Sequence, residues 1–168
     1  MRPTKNDYAP YYETYVSKVK GDGIIQILSK MNQEIQTVCN SFAQNKGDYR
    51  YAEGKWTVKE LIGHVMDTER VFAFRAFSIA RGEKQHLPGF EQDDYVREGK
   101  FNQRQLSEIV YEFRLLRESN LLMFRSFDDK MLKRRGMANG YEVTVNALLF
   151  IIAGHSKHHI EILRERYL

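Results

Sequence analysis

The spacing of apolar residues is the feature that most restricts the fold of this chain. In four long stretches the apolar residues recur every three or four positions, which is the repeat of one face of an α-helix. These stretches run from about Gly23 to Ala43, from Thr57 to Gly82, from about Asn102 to Phe127, and from about Thr144 almost to the C-terminus. The chain contains only three prolines, so helices of this length can run unbroken. The pattern predicts an all-α fold.

Four helices of this length, each with an apolar seam, are typical of a four-helix bundle. A chain of 168 residues fits one folding unit, so we expect a single helical domain over residues 1–168. Within it, residues 1–22 precede the first predicted helix. This segment is rich in tyrosine, and we expect it to pack across the bundle as an N-terminal arm.

The predicted helices are joined by two long connections, Gly82–Phe101 and Asp128–Glu142. Connections of this length are uncommon in compact domains unless they have a function or are disordered, so we expect them to cover one end of the bundle. In the second connection, Asn139-Gly140 is a dipeptide that tight hairpin turns favour. It allows a short β-hairpin near residues 136–143.

Composition and charge exclude several classes of protein. The formal net charge is +4 and the pI is near 9.1, but lysine and arginine are scattered among acidic residues, whereas a nucleic-acid-binding face concentrates them. We therefore expect no nucleic-acid partner. The single cysteine, Cys39, excludes an intramolecular disulfide and a thiolate metal cluster. The polar N-terminus lacks the features of a signal peptide, and the longest apolar run, Ala147–Gly154, is too short to span a membrane. We expect a cytoplasmic protein that does not enter the membrane.

The sequence GHSKHH, residues 154–159, is the strongest indication of chemistry. His155 and His159 are four residues apart, so they share one face of the last helix. That face also carries Leu148, Ile152 and Leu163, which should point into the bundle. Burying two imidazole rings is costly unless both find partners, and one metal ion can bind both. His158 lies further round the helix, although a pairing of His155 with His158 remains an alternative.

A third ligand must come from another helix, and His64 is the candidate because it lies beside the apolar face of the second predicted helix. A lone histidine at such a position is more often a hydrogen-bonded core residue. Histidines four residues apart also occur on exposed helix faces. Taken together, His64, His155 and His159 favour a divalent metal site, and three protein ligands would leave coordination positions open for catalysis.

Four other residues or segments are weaker candidates. Asp67 could orient a ligand, but the neighbouring Glu69 and Arg70 favour a surface charge pair. Trp56, His86 and the segment LPGF, residues 87–90, could line a pocket, although residues of these kinds more often serve simple packing. The fifth histidine, His86, is expected at the surface or at a pocket rim.

These residues also carry a resemblance to a known family. The chain resembles the DinB-like four-helix-bundle proteins, which are widespread in bacteria. The matching stretches are DYAPYYETYV (7–16), KWTVKELIGHVMDTERVFAFRAF (55–77), LPGFEQDDYV (87–96) and NALLFIIAGHSKHHIEILRERYL (146–168). The resemblance extends over nearly the whole chain, and the C-terminal stretch is its most specific part.

The resemblance implies a metal site with one histidine from the second long helix and two from the fourth, which are His64, His155 and His159 here. It implies zinc or nickel as the metal, and a homodimer. Characterised relatives include S-transferases that use low-molecular-weight thiols, and hydrolases. We therefore expect a metal-dependent enzyme with a small-molecule substrate. The alternative is a non-catalytic metal-binding or stress-related interaction module. The family name refers to DNA damage and does not imply DNA binding.

Overall fold

The computed structural model describes residues 1–42 and 44–168, including all side chains except those of residues 44 and 45. Over these residues the protein is mostly helical, with seven α-helices and one two-stranded sheet. The helices are α1 Glu13–Val16, α2 Ile24–Asn40, α3 Val58–Ala80, α4 Gln92–Gly99, α5 Leu106–Arg125, α6 Asp129–Leu132 and α7 Val145–Ile162. The strands are β1 Arg135–Ala138 and β2 Tyr141–Thr144. None of the helices described is both long and apolar enough to cross a bilayer.

The four long helices α2, α3, α5 and α7 form the bundle, so the predicted fold class is confirmed. Helix α7 is the central element: every residue from Val145 to Ser156 is buried except Asn146. Its most extensive packing is against α3. Side chains on the facing surfaces of these two helices therefore lie in the interior of the bundle.

The predicted helix bounds agree with the structure to within a few residues. Helix α2 ends at Asn40, and the predicted end at Ala43 lies outside the described residues. Helix α3 begins with the predicted capping box: the Glu60 amide donates to Thr57 Oγ1 over 3.1 Å, and the Thr57 amide donates to the Glu60 carboxylate over 2.8 Å. Helix α5 begins four residues later than expected, because Phe101–Gln103 forms a separate 3₁₀ turn.

The two long connections contain more regular structure than predicted. Gln92–Gly99, expected as loop, is the short helix α4, which buries only Val96 and so shows no apolar repeat. Strands β1 and β2 form the predicted hairpin, slightly longer than expected, with Asn139 and Gly140 at φ 52° and 79° in its turn. The hairpin holds the other connection: the Leu87 amide donates to Met137 O over 2.9 Å, and the Asn139 amide donates to Leu87 O over 3.0 Å.

Helix α1 of the N-terminal arm packs onto α7. The contact requires Gly154, because a Cβ atom there would lie 2.0 Å from the Tyr15 carbonyl oxygen. That oxygen belongs to the backbone and cannot move independently of α1. Lys157 adds a hydrogen bond from its Nζ to Lys18 O, over 3.0 Å. The residue before His155 thus sets how closely the arm approaches the last helix.

A buried ion pair joins the helices of the bundle. Glu69 on α3 and Arg117 on α5 are almost completely inaccessible, and the Arg117 Nη2 atom lies 2.6 Å from Glu69 Oε2. The pairing is bidentate, with Arg117 Nε 2.8 Å from Glu69 Oε1. Arg117 also donates to Ser156 Oγ on α7 over 2.9 Å, and Asn120 donates to Glu69 over 3.0 Å. The expectation that Glu69 belongs to a surface charge pair is therefore wrong.

We expect Glu69→Gln to lower the free energy of unfolding by about 3–5 kcal/mol, because it leaves the Arg117 guanidinium buried without a counter-charge. Urea denaturation followed by circular dichroism measures this loss. The matched control is Asp94→Asn, which breaks the exposed Arg97–Asp94 pair and should have a much smaller effect. Equal effects of the two substitutions would contradict the role assigned to the buried pair.

Candidate metal centre

The structure brings the three predicted histidines together in the bundle interior. His64 comes from α3, and His155 and His159 come from successive turns of α7. All three are buried, and each offers one ligand atom such that these atoms lie within 4.8 Å of one another. The Nε2 atoms of His64 and His155 are 3.1 Å apart. Two nitrogens bound to one tetrahedral ion at about 2.1 Å would be about 3.4 Å apart, so the observed spacing suits a shared ion.

Glycines precede two of the histidines and allow other segments to pack closely there. Gly63 precedes His64, and a Cβ atom at Gly63 would lie 2.5 Å from the Phe101 ring. Gly154 precedes His155 and faces the arm in the same manner. Helices α3 and α7 are thus each closely approached by another segment one residue before a candidate ligand.

Burial keeps the three imidazoles neutral. Desolvation lowers the pKa of His64 to about 4 and that of His159 to about 2. The pKa of His155 is also well below its usual value, because of burial and then of its histidine neighbours. Neutral imidazole is the form that binds metal ions. The donor set, its spacing and its protonation state fit a divalent ion, and His159 Nδ1 has no hydrogen-bond partner among the described residues.

Of the other candidate residues from the sequence, some lie beside the histidine cluster and others lie away from it. His158 is half-buried, with its ring centroid 5.0 Å from that of His159, and does not belong to the group of convergent ligand atoms. Asp67 forms an ion pair of 2.7 Å with Arg70, which matches the surface-pair interpretation, and burial raises its pKa. Trp56 packs on His64 with ring centroids 4.7 Å apart, whereas His86 is exposed.

A cleft of about 310 Å³ leads to the histidines from the surface. His64 and His155 form its deep end, and Thr68 lies beside them with a buried hydroxyl that has no partner among the described residues. The cleft continues along α3 to Phe72 and Arg75. A small molecule in this cleft would therefore reach the metal ligands directly.

Residues of the N-terminal arm form one side of the cleft. Three tyrosines of the arm form one wall: Tyr15 stands edge-on to His155 at 5.2 Å between ring centroids, and Tyr12 stands edge-on to Phe72 at 5.7 Å. Tyr11 completes this wall and is exposed. Burial raises the pKa of Tyr12 and Tyr15, so both hydroxyls stay protonated and can donate hydrogen bonds.

Sequence reasoning missed the tyrosine wall, Thr68 and Arg75 as cleft residues. Arg75 did carry a signal, since it lies within the apolar run Val71–Phe77, where a charged residue is unusual. Of the LPGF segment, only Phe90 lines the cleft. The tyrosines lie far from the histidines in sequence, and only the packing of the arm on α7 brings them to the site.

Comparison with known proteins now identifies the family. A sequence model of the DinB superfamily matches residues 27–163, which is most of the chain. The chain belongs to the DinB superfamily. The matched range contains all three histidines and the α3 side of the cleft, whereas the tyrosines of the arm precede it.

Two solved structures share the DinB-like fold with this chain. YfiT from Bacillus subtilis, described as a probable metal-dependent hydrolase with an unusual four-helix bundle topology, has a TM-score of 0.75 and 17% identity over 95% of this chain and 91% of its own. A mycothiol-dependent maleylpyruvate isomerase has a TM-score of 0.70 and 12% identity over 88% of this chain and 62% of its own. At these identities the likeness establishes the fold alone. The sequence has no significant match among curated proteins.

The lowered pKa values predict that the metal-free protein loses stability in acid. An unfolded histidine takes up a proton below its ordinary pKa of about 6.5, whereas buried His64 does so only near 4, so stability falls as the pH drops between these values. From pH 7.5 to pH 5 we expect His64 alone to contribute a loss of about 2 kcal/mol. Urea denaturation of chelator-treated protein at the two pH values measures it.

The variant His64→Phe tests the origin of this pH dependence, because it keeps a buried ring but removes the titrating group. Its free energy of unfolding should fall less steeply between pH 7.5 and pH 5 than that of the unsubstituted protein. The exposed His86 provides the control: His86→Phe should leave the slope unchanged. Identical slopes in all three proteins would contradict the assignment to the buried cluster.

Proposed function

We propose that this protein binds a divalent metal ion, zinc or nickel, through His64, His155 and His159, and that it is a metal-dependent enzyme acting on a small molecule. The single observation that carries the proposal is the convergence of three buried, neutral imidazoles, two of which, His64 and His155, line an accessible cleft. Sites with three protein ligands and an approach from solvent are characteristic of catalytic metals, whereas structural sites are closed.

We further propose that the reaction is transfer of a low-molecular-weight thiol or hydrolysis. A divalent ion at the three histidines would lower the pKa of a thiol or of a water molecule that it binds, which is the chemistry both reactions need. The two similar structures support this choice, since one is described as a probable metal-dependent hydrolase and the other as mycothiol-dependent.

The protein's own side chains would bind and orient the substrate. The Thr68 hydroxyl, beside His64, is free to hydrogen-bond to a bound molecule. The protonated hydroxyls of Tyr12 and Tyr15 can donate to a substrate oxygen from the opposite wall. Phe72 supplies an apolar surface between these groups and limits the water that enters with the substrate.

The proposal is tested first by metal content. Protein purified without a histidine tag or a nickel column should carry about one divalent ion per chain by elemental analysis, as a three-ligand site predicts. The double variant His155→Ala, His159→Ala should lose the ion, and His86→Ala should retain it. Retention of the ion by the double variant, with its circular dichroism unchanged, would exclude this site.

The same preparations are then used to determine whether the protein catalyses thiol transfer or hydrolysis. Metal-loaded protein is incubated with bacillithiol, glutathione or coenzyme A plus the electrophile monochlorobimane, and separately with aryl esters. Thiol-dependent product formation that is lost in the double variant identifies a transferase, and ester hydrolysis without thiol identifies a hydrolase. A bound metal without turnover in either assay would favour the alternative, a non-catalytic metal-binding or stress-related interaction module.

We also propose that the protein forms a homodimer. Apolar side chains are exposed along one stripe of α5, at Tyr111, Leu115 and Leu122, and on α3 at Phe74 and Phe77. The ion pair between Arg70 and Glu112 joins these two helices. Exposed apolar surface of this kind is typical of an interface between protein subunits.

The substitution Leu122→Glu should shift the protein toward monomer, because it places a charge in the apolar stripe. Light scattering coupled to gel filtration measures the mass. Thr14→Glu adds the same charge on the exposed side of the arm and should leave the mass unchanged. A monomeric unsubstituted protein would refute the dimer without affecting the proposed metal site.

We also propose that the protein is cytoplasmic and that it has no nucleic-acid partner. Several exposed arginines are neutralised by carboxylates: Arg97 pairs with Asp94 at 2.8 Å, and Arg135 pairs with Asp7 at 2.6 Å and Glu142 at 2.9 Å. Such pairing leaves less free positive charge for a phosphate backbone to contact. This supports a small molecule, and not a nucleic acid, as the partner.

A further inference from the structure

The cleft contains a buried cation that lacks a counter-charge. Arg75 on α3 is only 2% exposed, yet none of its guanidinium nitrogens has an acidic partner within 4 Å in residues 1–42 and 44–168. Its Nη2 atom donates to the Pro88 carbonyl oxygen over 2.6 Å, and the guanidinium also interacts with the neutral Tyr12 hydroxyl. Buried arginines are almost always paired with an anion, because the uncompensated charge is costly to desolvate.

The other buried arginine of the bundle shows the contrast. Arg117 is fully buried and is matched by the Glu69 carboxylate at 2.6 Å. Arg75 lacks such a pairing: Glu91 also lines the cleft but forms no ion pair with it, and the guanidinium carbon lies 5.1 Å from the Phe72 centroid and 5.9 Å from the Phe90 centroid. These rings hold the guanidinium plane in place by cation–π attraction but do not neutralise the charge. The site is therefore built to receive an anionic group from outside the protein.

Arg75 lies on the same helix as His64 and lines the same cleft. Arg75 follows His64 by eleven residues, which is close to three helical turns, so both side chains lie on the same side of α3 with about 16 Å between their Cα atoms. Both side chains lean toward the N-terminus of α3, and the longer side chain of Arg75 reaches further in the direction of His64. Thr68 and Phe72 lie between them along the cleft.

We propose that Arg75 binds a carboxylate group of the small molecule whose other end reaches His64 and His155. This inference names the substrate class for the enzyme proposed above, and to that extent it rests on that proposal. The guanidinium fork matches a carboxylate through two parallel hydrogen bonds. The aromatic lining between the two ends, from Tyr12 and Phe72, suits an apolar or aromatic body. The substrate is thus an organic acid with its reactive group remote from the carboxylate.

The carboxylate need not belong to the same reactant in both proposed reactions. In a hydrolysis it belongs to the substrate, and in a thiol transfer it belongs either to the thiol or to the electrophile. The chemistry at Arg75 is the same in each case. Binding can therefore be measured without knowing the reaction.

The first test uses metal-free protein, so that it does not depend on the metal or on turnover. The probes are 4-phenylbutyrate and its uncharged isostere 4-phenylbutyramide, titrated against the protein and followed by NMR chemical shifts. A charge-assisted bidentate contact should make the acid bind at least about tenfold more tightly than the amide. Equal affinities would overturn the proposal, and this comparison needs no variant.

The second test uses substitutions of Arg75. Arg75→Met keeps the length and apolar contacts of the side chain but removes the charge, and it should abolish the preference for the acid over the amide. Arg75→Lys keeps the charge but not the fork, and it should retain part of the preference. The control is Arg81→Met, which removes a charge at the end of the same helix, outside the cleft lining, and should leave the preference intact.

If Arg75 had only a structural role, the opposite result would be expected for Arg75→Met. If the guanidinium served only to hold the loop at Pro88, Arg75→Met would lower the unfolding midpoint of the ligand-free protein and would not alter the ratio of acid to amide affinity. That result would overturn the proposal. Should Arg75→Met fail to fold, Arg75→Lys and the acid–amide comparison in the unsubstituted protein decide the matter.

The third test assigns the carboxylate to a reactant. In metal-loaded protein, thiol transfer is measured with 6-mercaptohexanoate or 6-mercaptohexanol as the thiol, and with electrophiles that carry or lack a carboxylate. Arg75→Met should raise KM at least about tenfold only for the reactant that carries the carboxylate. An unchanged KM for every carboxylate-bearing reactant would overturn the proposal. If no reactant turns over but the metal-free protein still prefers the acid, the proposed enzyme reaction is wrong and the anion site stands.

Discussion

The buried pair between Glu69 and Arg117 is the interaction on which the rest of this structure depends. A guanidinium and a carboxylate without access to water are tolerated only because their hydrogen bonds are nearly all used within the protein. The partners of the pair come from α3, α5 and α7, and Arg117 also reaches the Leu28 carbonyl oxygen of α2. A shift of one long helix against the others would break a hydrogen bond to a buried charge, so the pair fixes the helix register.

This register determines where the histidines lie. Ser156, which accepts a hydrogen bond from Arg117, is the neighbour of His155 on α7, and Glu69 lies little more than one turn beyond His64 on α3. The network therefore helps to place the imidazoles, although within the described residues it forms no hydrogen bond to their rings. Arrangements of this kind suit a metal site, because the ligands hold their geometry without the ion and only a small reorganisation accompanies binding.

The sequence was sufficient for the helices and for the pairing of His155 with His159 because both depend on local spacing, whereas His64 was indicated only by its place beside an apolar face and by the family resemblance. His155 and His159 share a face by helical geometry, and the apolar seams define the bundle. The pairing of Glu69 with Arg117 could not be predicted, since the two residues are 48 positions apart and each is flanked by other charged residues in its helix. Helix α4 was missed for a related reason: a single buried residue, Val96, produces no repeat. The cleft depends on how the arm docks, which no local pattern specifies.

The absence of a side chain at Gly154 has a consequence for the tyrosine wall of the cleft. Because the Tyr15 backbone lies directly against α7, the main chain of α1 is held next to His155 at this point. Tyr11, at the other end of the same wall, is 46% exposed, although its ring packs on Tyr12 and Tyr141. The tyrosine wall therefore has an outer end in contact with solvent and an inner end whose backbone is anchored beside the imidazoles.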